Sequence, residues 1–277
     1  MRLGITMFTT DRAMRPHELA VAAEERGFAS VYVPEHTHIP IARTTPPPTG
    51  EETLPEEYAR TLDPFVALAA AAVVTERISL GTGICLLAQR EPLVTAKAIA
   101  SLDHISAGRF VLGVGFGWNV EEAADHDVPW RRRREVVRDK VLAMQELWSR
   151  DEASYHGEFA RFEPSWAWPK PRNRVPILIG GAAGPVLFSH IAEYGDGWMP
   201  IGGAGVRAAL PRLAHAYETA GRDPSTVTVI PFGTLPTPDK LDHYASLGID
   251  EVVLRVPSGP RDEVLPPLDS YAKTYLS

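Results

Sequence analysis

Residues 78–122 read ISLGTGICLLAQREPLVTAKAIASLDHISAGRFVLGVGFGWNVEE, and this stretch decides the fold. Two apolar runs, 78–84 and 109–114, flank a segment whose apolar side chains recur with a period near 3.6. Pro92 stands where a first helical turn accepts proline, and Gly108 ends the pattern. Because both runs are apolar on both faces, they are typical of a buried parallel sheet. The stretch therefore predicts a strand, a helix and a second, parallel strand.

The rest of the chain repeats this alternation of strand and helix. Eight such units in 277 residues, with no break in composition, predict a (β/α)8 barrel of the TIM-barrel class, as a single domain over residues 1–277. The strands are expected at residues 2–7, 30–33, 78–84, 109–114, 176–179, 197–199, 227–232 and 251–256.

Two segments interrupt the alternation. Residues 37–60 are rich in proline and acidic side chains, which predicts an insertion loop after the second strand that acts as a lid over a site. The alternative for this loop is an insertion without function. Alternating aromatic residues around His156 predict a hairpin excursion before the fifth barrel strand.

Charge and hydropathy exclude several classes of function. The chain has 28 basic and 35 acidic residues and a net charge of -7, which argues against a general affinity for nucleic acid or anionic membranes. Acidic neighbours dilute the arginine run at residues 131–134, so a solvated helix face is expected there. No segment reaches the roughly 18 apolar residues of a membrane span, and no signal peptide is recognisable, so a cytoplasmic protein is expected. The single cysteine, Cys85, is expected to be a small buried side chain.

Glycines end both strands of the opening stretch, where parallel folds collect their ligands. They would let a flat ligand lie on the backbone, although tight turns alone also use glycine. The residues GVGFGW are a poor dinucleotide fingerprint because no helix is predicted to start inside the glycines. IGGAAGP, residues 179–185, is a better anion site, since Gly180, Gly181 and Gly184 let a phosphate approach free N–H groups at a helix start. The alternative there is a tight turn.

Glu35 and His36 end the second strand, where a carboxylate and an imidazole could bind a ligand and transfer a proton. The pattern of His36 and His38 also occurs in metal-dependent hydrolases. Those enzymes need further ligands at later strand ends, where this chain has Gly180, Pro200, Phe232 and Val256. No metal site is therefore expected.

Taken together, three segments resemble the luciferase-like monooxygenase superfamily. They are VPEH at residues 33–36, the stretch from TERISLG to GFGWNVEE at residues 75–122, and PILIGGAAGP followed by EYGDGWMP at residues 176–200. Within that superfamily, LPEEYARTLDPFVALAAAA and YHGEFARFEPSWAWPKP resemble the branch of probable coenzyme F420-dependent oxidoreductases.

The resemblance implies a barrel that binds a flavin or deazaflavin at its mouth. It implies a non-prolyl cis peptide at Gly83-Ile84 behind the deazaflavin ring, and a phosphate loop at Gly180, Gly181 and Ala182.

The resemblance also implies that Glu35 and His36 are catalytic residues near the ring and the substrate. Sugar-phosphate dehydrogenases of this kind carry a catalytic glutamate where this chain has Trp118, so that acid is expected to be missing here. Trp118 is expected either to wall an apolar substrate pocket or only to pack.

The function expected from the resemblance is oxidoreduction, with a hydride moved between F420 and a small organic substrate. The alternatives are an FMN-dependent monooxygenase on the same barrel and a non-catalytic flavin-binding protein. The habit of the family suggests a homodimer.

Overall fold

The computed structural model describes residues 1–48, 50 and 53–276. Within them, eight parallel strands form a nearly closed barrel with helices around it, which confirms the predicted (β/α)8 barrel. The described residues form the strands β1 (Arg2–Thr6), β2 (Ser30–Val33), β3 (Ser79–Thr82), β4 (Phe110–Val114), β5 (Glu152–His156), β6 (Arg161–Trp166), β7 (Ile177–Gly180), β8 (Gly197–Met199), β9 (Thr228–Val229) and β10 (Glu251–Arg255).

The helices of the described residues follow the strands in the expected order. They are α1 (Pro16–Glu25), α2 (Pro64–Ala72), α3 (Pro92–Ile105), α4 (Val120–Asp125), α5 (Arg133–Ser149), α6 (Pro185–Tyr194), α7 (Val206–Thr219), α8 (Pro238–Ser246) and α9 (Arg261–Tyr275). Several begin with proline, which suits a first helical turn because an N–H at that position would have no partner within the helix. Side chains also cap starts, as where Asp63 accepts from the Val66 N–H at 3.0 Å.

The strands pair in the order β10-β1-β2-β3-β4-β7-β8-β9. β4 pairs directly with β7, with Val114 opposite Ile179, because β5 and β6 form a separate antiparallel hairpin. This confirms the predicted hairpin excursion. An isolated bridge between Thr234 and Leu254 spans the gap between the last two barrel strands, where the Thr234 N–H donates to the Val253 carbonyl at 3.0 Å.

Large apolar side chains fill the barrel interior, and glycines on the strands make room for them. A Cβ built on Gly81 would lie 2.3 Å from Cε1 of Tyr32, so the ring occupies the space that a side chain would take. The buried interior residues are Tyr32, Leu178, Met199, Ile230 and Val253. A second, larger core packs the outer faces of the strands against the helices.

Some predicted elements differ in detail. The strand expected at residues 227–232 is assigned only over Thr228–Val229, because Pro200, which follows β8, has no N–H to donate to Ile230. The Ile230 and Phe232 N–H groups still donate to the Trp198 and Pro200 carbonyls, at 2.9 and 2.8 Å. Helix α4 was not predicted; its Asn119 cap accepts from the Glu122 N–H at 3.2 Å. Cys85 is fully buried, as predicted, and burial raises the pKa of its thiol. No helix within the described ranges is long and apolar enough to cross a bilayer.

Candidate active site at the barrel mouth

The carboxyl ends of β3, β4 and β7 meet around the side chain of Ile84. The Gly83-Ile84 peptide is cis, as the resemblance implied. A Cβ built on Gly115 would lie 2.2 Å from Ile84 Cδ1, and one built on Gly180 would lie 3.2 Å from Ile84 Cγ2. The structure therefore brings Gly83, Ile84 and Gly180 together, although they come from two distant parts of the sequence.

Residues 180–184 form an exposed turn between β7 and α6. The Trp198 indole donates to the Gly181 carbonyl at 2.9 Å and so holds the start of the turn. Among the described residues, the N–H groups of Ala182, Ala183 and Gly184 donate to no backbone carbonyl. Ala182 is exposed, and Gly184 lies directly before the first residue of α6. Free N–H groups at a helix start fit the phosphate of a flavin or deazaflavin cofactor.

His36 lies between a carboxylate and an indole. Its Nδ1 is 2.8 Å from Oε2 of Glu122, and the Trp118 Nε1–H points at its Nε2 from 3.2 Å. An indole can only donate, so Nε2 accepts and the ring proton is on Nδ1, where it is donated to Glu122. Only 6% of the His36 side chain and 1% of the Glu122 side chain are exposed. The pair is a buried acid–base unit with a defined tautomer.

Glu35, the neighbour of His36, has a different environment. Its carboxylate accepts from the Leu86 N–H at 2.8 Å and from the Arg90 Nε–H at 2.6 Å, and the residue is 4% exposed. Arg90 in turn donates to Asp63 at 2.6 Å. Burial works to lower the pKa of Arg90, but the Glu35 carboxylate outweighs it and the net effect is a raised pKa. The structure thus directs Glu35 toward the chain after β3 and away from His36.

Sequence reasoning missed Glu122. It noted that Trp118 stands where relatives carry a glutamate, and the acid was expected to be missing. Trp118 does stand at that position, but another carboxylate contacts His36, that of Glu122 in the first turn of α4. The signal was present in the sequence, because Asn119 followed three residues later by Glu122 is a helix-start pattern.

The loop over residues 37–60 is anchored at both ends. Its first half is tied to α4, where the Glu121 carboxylate accepts from the Thr45 hydroxyl at 2.6 Å and from the Thr44 N–H at 2.7 Å. The Thr45 bond and then the Thr44 bonds lower the pKa of Glu121 to about 2. His38 is a loop residue whose Nε2 lies 2.9 Å from Asp125.

The second half of the loop is anchored to the segment after β1. Arg60 pairs with Asp11 at 2.8 Å and with Glu56 at 2.7 Å, and Arg12 also pairs with Glu56, at 2.9 Å. Thr49, Glu51 and Glu52, which the lid prediction includes, lie outside the described residues. The lid role itself stays a prediction.

Aromatic rings surround the free edge of His36. Tyr58, from the second half of the loop, lies with its ring centroid 5.4 Å from His36 and 6.0 Å from Trp118. Arg43 lies over the Trp118 ring at 5.8 Å. Trp118 therefore packs against His36 and Tyr58, and its role as a wall of a substrate pocket stays a prediction. Among the described residues, no group of three or more histidine, cysteine, aspartate or glutamate side chains is placed to hold a metal ion.

Comparison with known proteins assigns the family. The model of the luciferase-like monooxygenase family matches residues 4–244. The chain belongs to this family. It is 44% identical over 267 residues to the uncharacterized protein Rv0953c of Mycobacterium tuberculosis (strain ATCC 25618 / H37Rv), covering 95% of this chain and 94% of that one.

A second relative from the same organism, the F420-dependent hydroxymycolic acid dehydrogenase, is 30% identical over 232 residues. That match covers 81% of this chain and 59% of the relative, so this chain spans about three fifths of the dehydrogenase. Two solved structures share the fold of this luciferase-like chain. The first is the monooxygenase RslO1 from Streptomyces bottropensis, with a TM-score of 0.81 and 24% identity. The second is an F420-dependent secondary alcohol dehydrogenase, with a TM-score of 0.78 and 19% identity. Each match covers 100% of this chain and 99% of the other chain.

Proposed function

We propose that this luciferase-like protein is an F420-dependent oxidoreductase that transfers a hydride between the cofactor and a small organic substrate. The observation that carries the proposal is the buried pair of His36 and Glu122 beside the glycine-lined floor at Ile84. The relative named as an F420-dependent hydroxymycolic acid dehydrogenase supports the choice of cofactor. The homodimer and the cytoplasmic location stay predictions.

The residues at the mouth fit a deazaflavin cofactor. Gly83 and Ile84 would support the ring, since the glycines at the adjacent strand ends, Gly115 and Gly180, make room for the Ile84 side chain. Gly180 and Gly181 would let the phosphate approach, and the free N–H group of Ala182 would hold it. When bound, F420 supplies the ring that accepts or donates the hydride.

His36 would move the accompanying proton. Because Glu122 holds the proton on Nδ1, Nε2 offers a lone pair to a substrate hydroxyl that takes the place of the Trp118 indole. As the imidazole gains this proton, the buried Glu122 carboxylate stabilises the positive charge that forms. In the reverse direction the protonated ring returns the proton to the substrate oxygen.

Other residues shape the surroundings of this pair. Glu35 would act by holding Arg90 and the Leu86 N–H, which fixes the chain that follows Ile84. Trp118 and Tyr58 would exclude water from the space beside Nε2.

A titration of cofactor-stripped protein with F420 and, separately, with FMN tests the cofactor by its fluorescence. Tight binding of F420 supports the proposal, whereas a preference for FMN would assign the protein to the oxygen-using branch of the family. Turnover is then tested with secondary alcohols, enones and imines. Protein that binds F420 but shows no turnover, whatever the substrate, would be a non-catalytic binding protein.

The role of His36 is tested by His36→Ala. We expect a fall in turnover of about 100-fold, in the usual range for a lost acid–base group, with little change in F420 affinity. His38→Ala is the matched control, because His38 lies only two residues further along the chain but pairs with Asp125 on the surface. Unchanged turnover in His36→Ala would remove this residue from the mechanism.

A further inference from the structure

The arginine run at residues 131–134 does not form the solvated helix face that the sequence predicted. Arg133 and Arg134 are half-buried, and their guanidinium groups lie over aromatic rings. Arg133 lies 3.9 Å from the centroid of the Trp130 ring, and Arg134 lies 4.4 Å from that of Phe116. The first two arginines behave as expected, since Arg131 is exposed and Arg132 pairs with Glu135 and Glu158.

Arg134 has no acidic partner. Across the part of the chain that the structure describes, it makes no hydrogen bond or ion pair, and its Nη1 is buried without a partner. The nearby Glu193 carboxylate is already held by Arg138 at 2.8 Å. A buried N–H donor without an acceptor is costly, and positive charges at the start of α5 also oppose the helix dipole. This arrangement favours an anion that is not part of the chain.

The position of Arg134 relates it to the candidate active site. The Arg134 guanidinium lies over Phe116, which follows β4. β4 pairs with β7, the strand that leads into the turn at residues 180–184. The Phe116 ring also lies 5.9 Å from the ring of His190 in α6, the helix that follows the turn at residues 180–184. Burial and, secondarily, the charge of Arg134 lower the pKa of His190, which agrees with this proximity.

A second unpaired polar group lies in the same place. The hydroxyl of Tyr194 is buried and, within the described residues, has no hydrogen-bond partner. Its ring is 5.6 Å from that of His190. The unpaired cation and the unpaired hydroxyl are therefore linked through His190 and Phe116 between α5 and α6.

We propose that Arg134 binds an anionic oxygen group of the cofactor's side chain, a phosphodiester or a carboxylate, beside the turn at residues 180–184. This inference rests on the proposed function. The planar guanidinium suits either group, because both offer two oxygens to its paired N–H donors. F420 carries carboxylates beyond its phosphodiester, whereas FMN ends at its phosphate.

The test compares F420 with Fo, the same deazaflavin without the phosphate and carboxylate groups. Fluorescence titrations of the full chain are made with the wild type, Arg134→Gln and Arg134→Lys. Arg131→Gln is the matched control, because it removes the same charge from an exposed side chain of the same run. We expect Arg134→Gln to weaken F420 binding at least about tenfold, as for the loss of a charged hydrogen bond, and Fo binding less than about twofold. Arg134→Lys keeps the charge and should recover part of the loss.

Unchanged F420 affinity in Arg134→Gln would overturn the inference, and so would an equal loss for F420 and Fo, which would show that Arg134 only supports the fold around Phe116. F420 trimmed of its glutamates separates two sources. A loss that persists assigns the phosphodiester with the lactyl carboxylate beside it, and a loss that disappears assigns the glutamate carboxylates. Wild-type protein that binds neither deazaflavin would refute the proposed function instead. In that case FMN and riboflavin replace F420 and Fo, and equal loss for both would again overturn the role of Arg134.

Discussion

His36 and Glu122 meet at 2.8 Å between Nδ1 and Oε2, although 86 positions separate them in the sequence. The other oxygen of Glu122 accepts from the Thr37 N–H at 3.3 Å, so one carboxylate fixes both the imidazole and the backbone that follows it. Because Trp118 donates to the opposite nitrogen of His36, the ring is held on both edges. These contacts orient the group that is proposed to move the proton.

Glu122→Gln tests the charge of this carboxylate. Glutamine keeps the shape and an oxygen that accepts from Nδ1–H, but it removes the negative charge that would stabilise a protonated His36. We expect kcat to fall by about 10- to 100-fold, within the range for acid–base catalysis. The F420 dissociation constant should change by less than about twofold, because a hydrogen bond to the imidazole is kept. Steady-state kinetics and fluorescence titration measure the two quantities.

Asp125→Asn is the control for this prediction, since Asp125 is also a carboxylate of α4 paired with a histidine, but the pair is on the surface. It should leave kcat unchanged. Equal losses in both variants would show that any change of charge in α4 slows the enzyme, and the special role of Glu122 would be refuted.

Glu35→Gln tests whether Glu35 acts on the substrate or on the fold. Removing one partner of a buried ion pair commonly costs about 3 kcal/mol or more, so the free energy of unfolding should fall by that amount. Turnover at a temperature where the variant is folded should remain near that of the wild type. Urea unfolding and steady-state kinetics decide the question. A variant with wild-type stability and little turnover would make Glu35 a catalytic residue.

Asp63→Asn provides the comparison for Glu35, because Asp63 binds the same Arg90 from a more exposed position, with 42% of its side chain accessible. Exposed ion pairs contribute about 1 kcal/mol or less. The two variants should therefore differ clearly in stability while sharing the same arginine.

The local parts of this structure were predictable from the sequence. The apolar runs around Pro92 and Gly108 have the patterns of strands and a helix. The same alternation, repeated eight times along the chain, predicted the barrel. The turn at residues 180–184 was recognised because its glycines and the following proline act through the backbone alone. Each of these signals lies within a few neighbouring residues.

The pairing of side chains was not predictable in the same way. Glu35 and His36 are neighbours, but successive side chains of an extended chain point in opposite directions, so they belong to different networks. Glu122 reaches His36 only because β2 and α4 meet at the barrel mouth. No local pattern of residues encodes that distance.

Gly115→Ala tests the surface on which the cofactor ring would lie. The new Cβ would stand 2.2 Å from Ile84 Cδ1, so the Ile84 side chain would have to move. We expect F420 to bind at least about tenfold more weakly, a change of about 1.4 kcal/mol or more. The double variant Gly115→Ala with Ile84→Ala should recover part of that affinity, because the clashing atoms are removed. Additive losses in the double variant would show that the two positions act independently.

Glu24 connects α1 to the start of β3. Its carboxylate accepts from the N–H groups of Arg77 at 2.7 Å and Ile78 at 2.8 Å, and also from that of Glu76 at 3.1 Å. Burial works to raise the pKa of Glu24, but these backbone bonds outweigh it, so the pKa lies below its ordinary value of 4.5. The lowered pKa means that the ionised carboxylate stabilises the folded chain.

This stabilisation should be complete above the ordinary pKa of Glu24 and should disappear as the pH falls through the lowered value. Glu24→Gln should therefore reduce the free energy of unfolding by about 2 kcal/mol at pH 7, the usual size for hydrogen bonds to a charged group. The difference from the wild type should shrink as the pH falls below 4.5. Urea unfolding across this pH range measures both. Glu25→Gln, at an exposed neighbouring position, should show no such trend. A difference that stays constant with pH would mean that the ionised carboxylate contributes nothing to this junction.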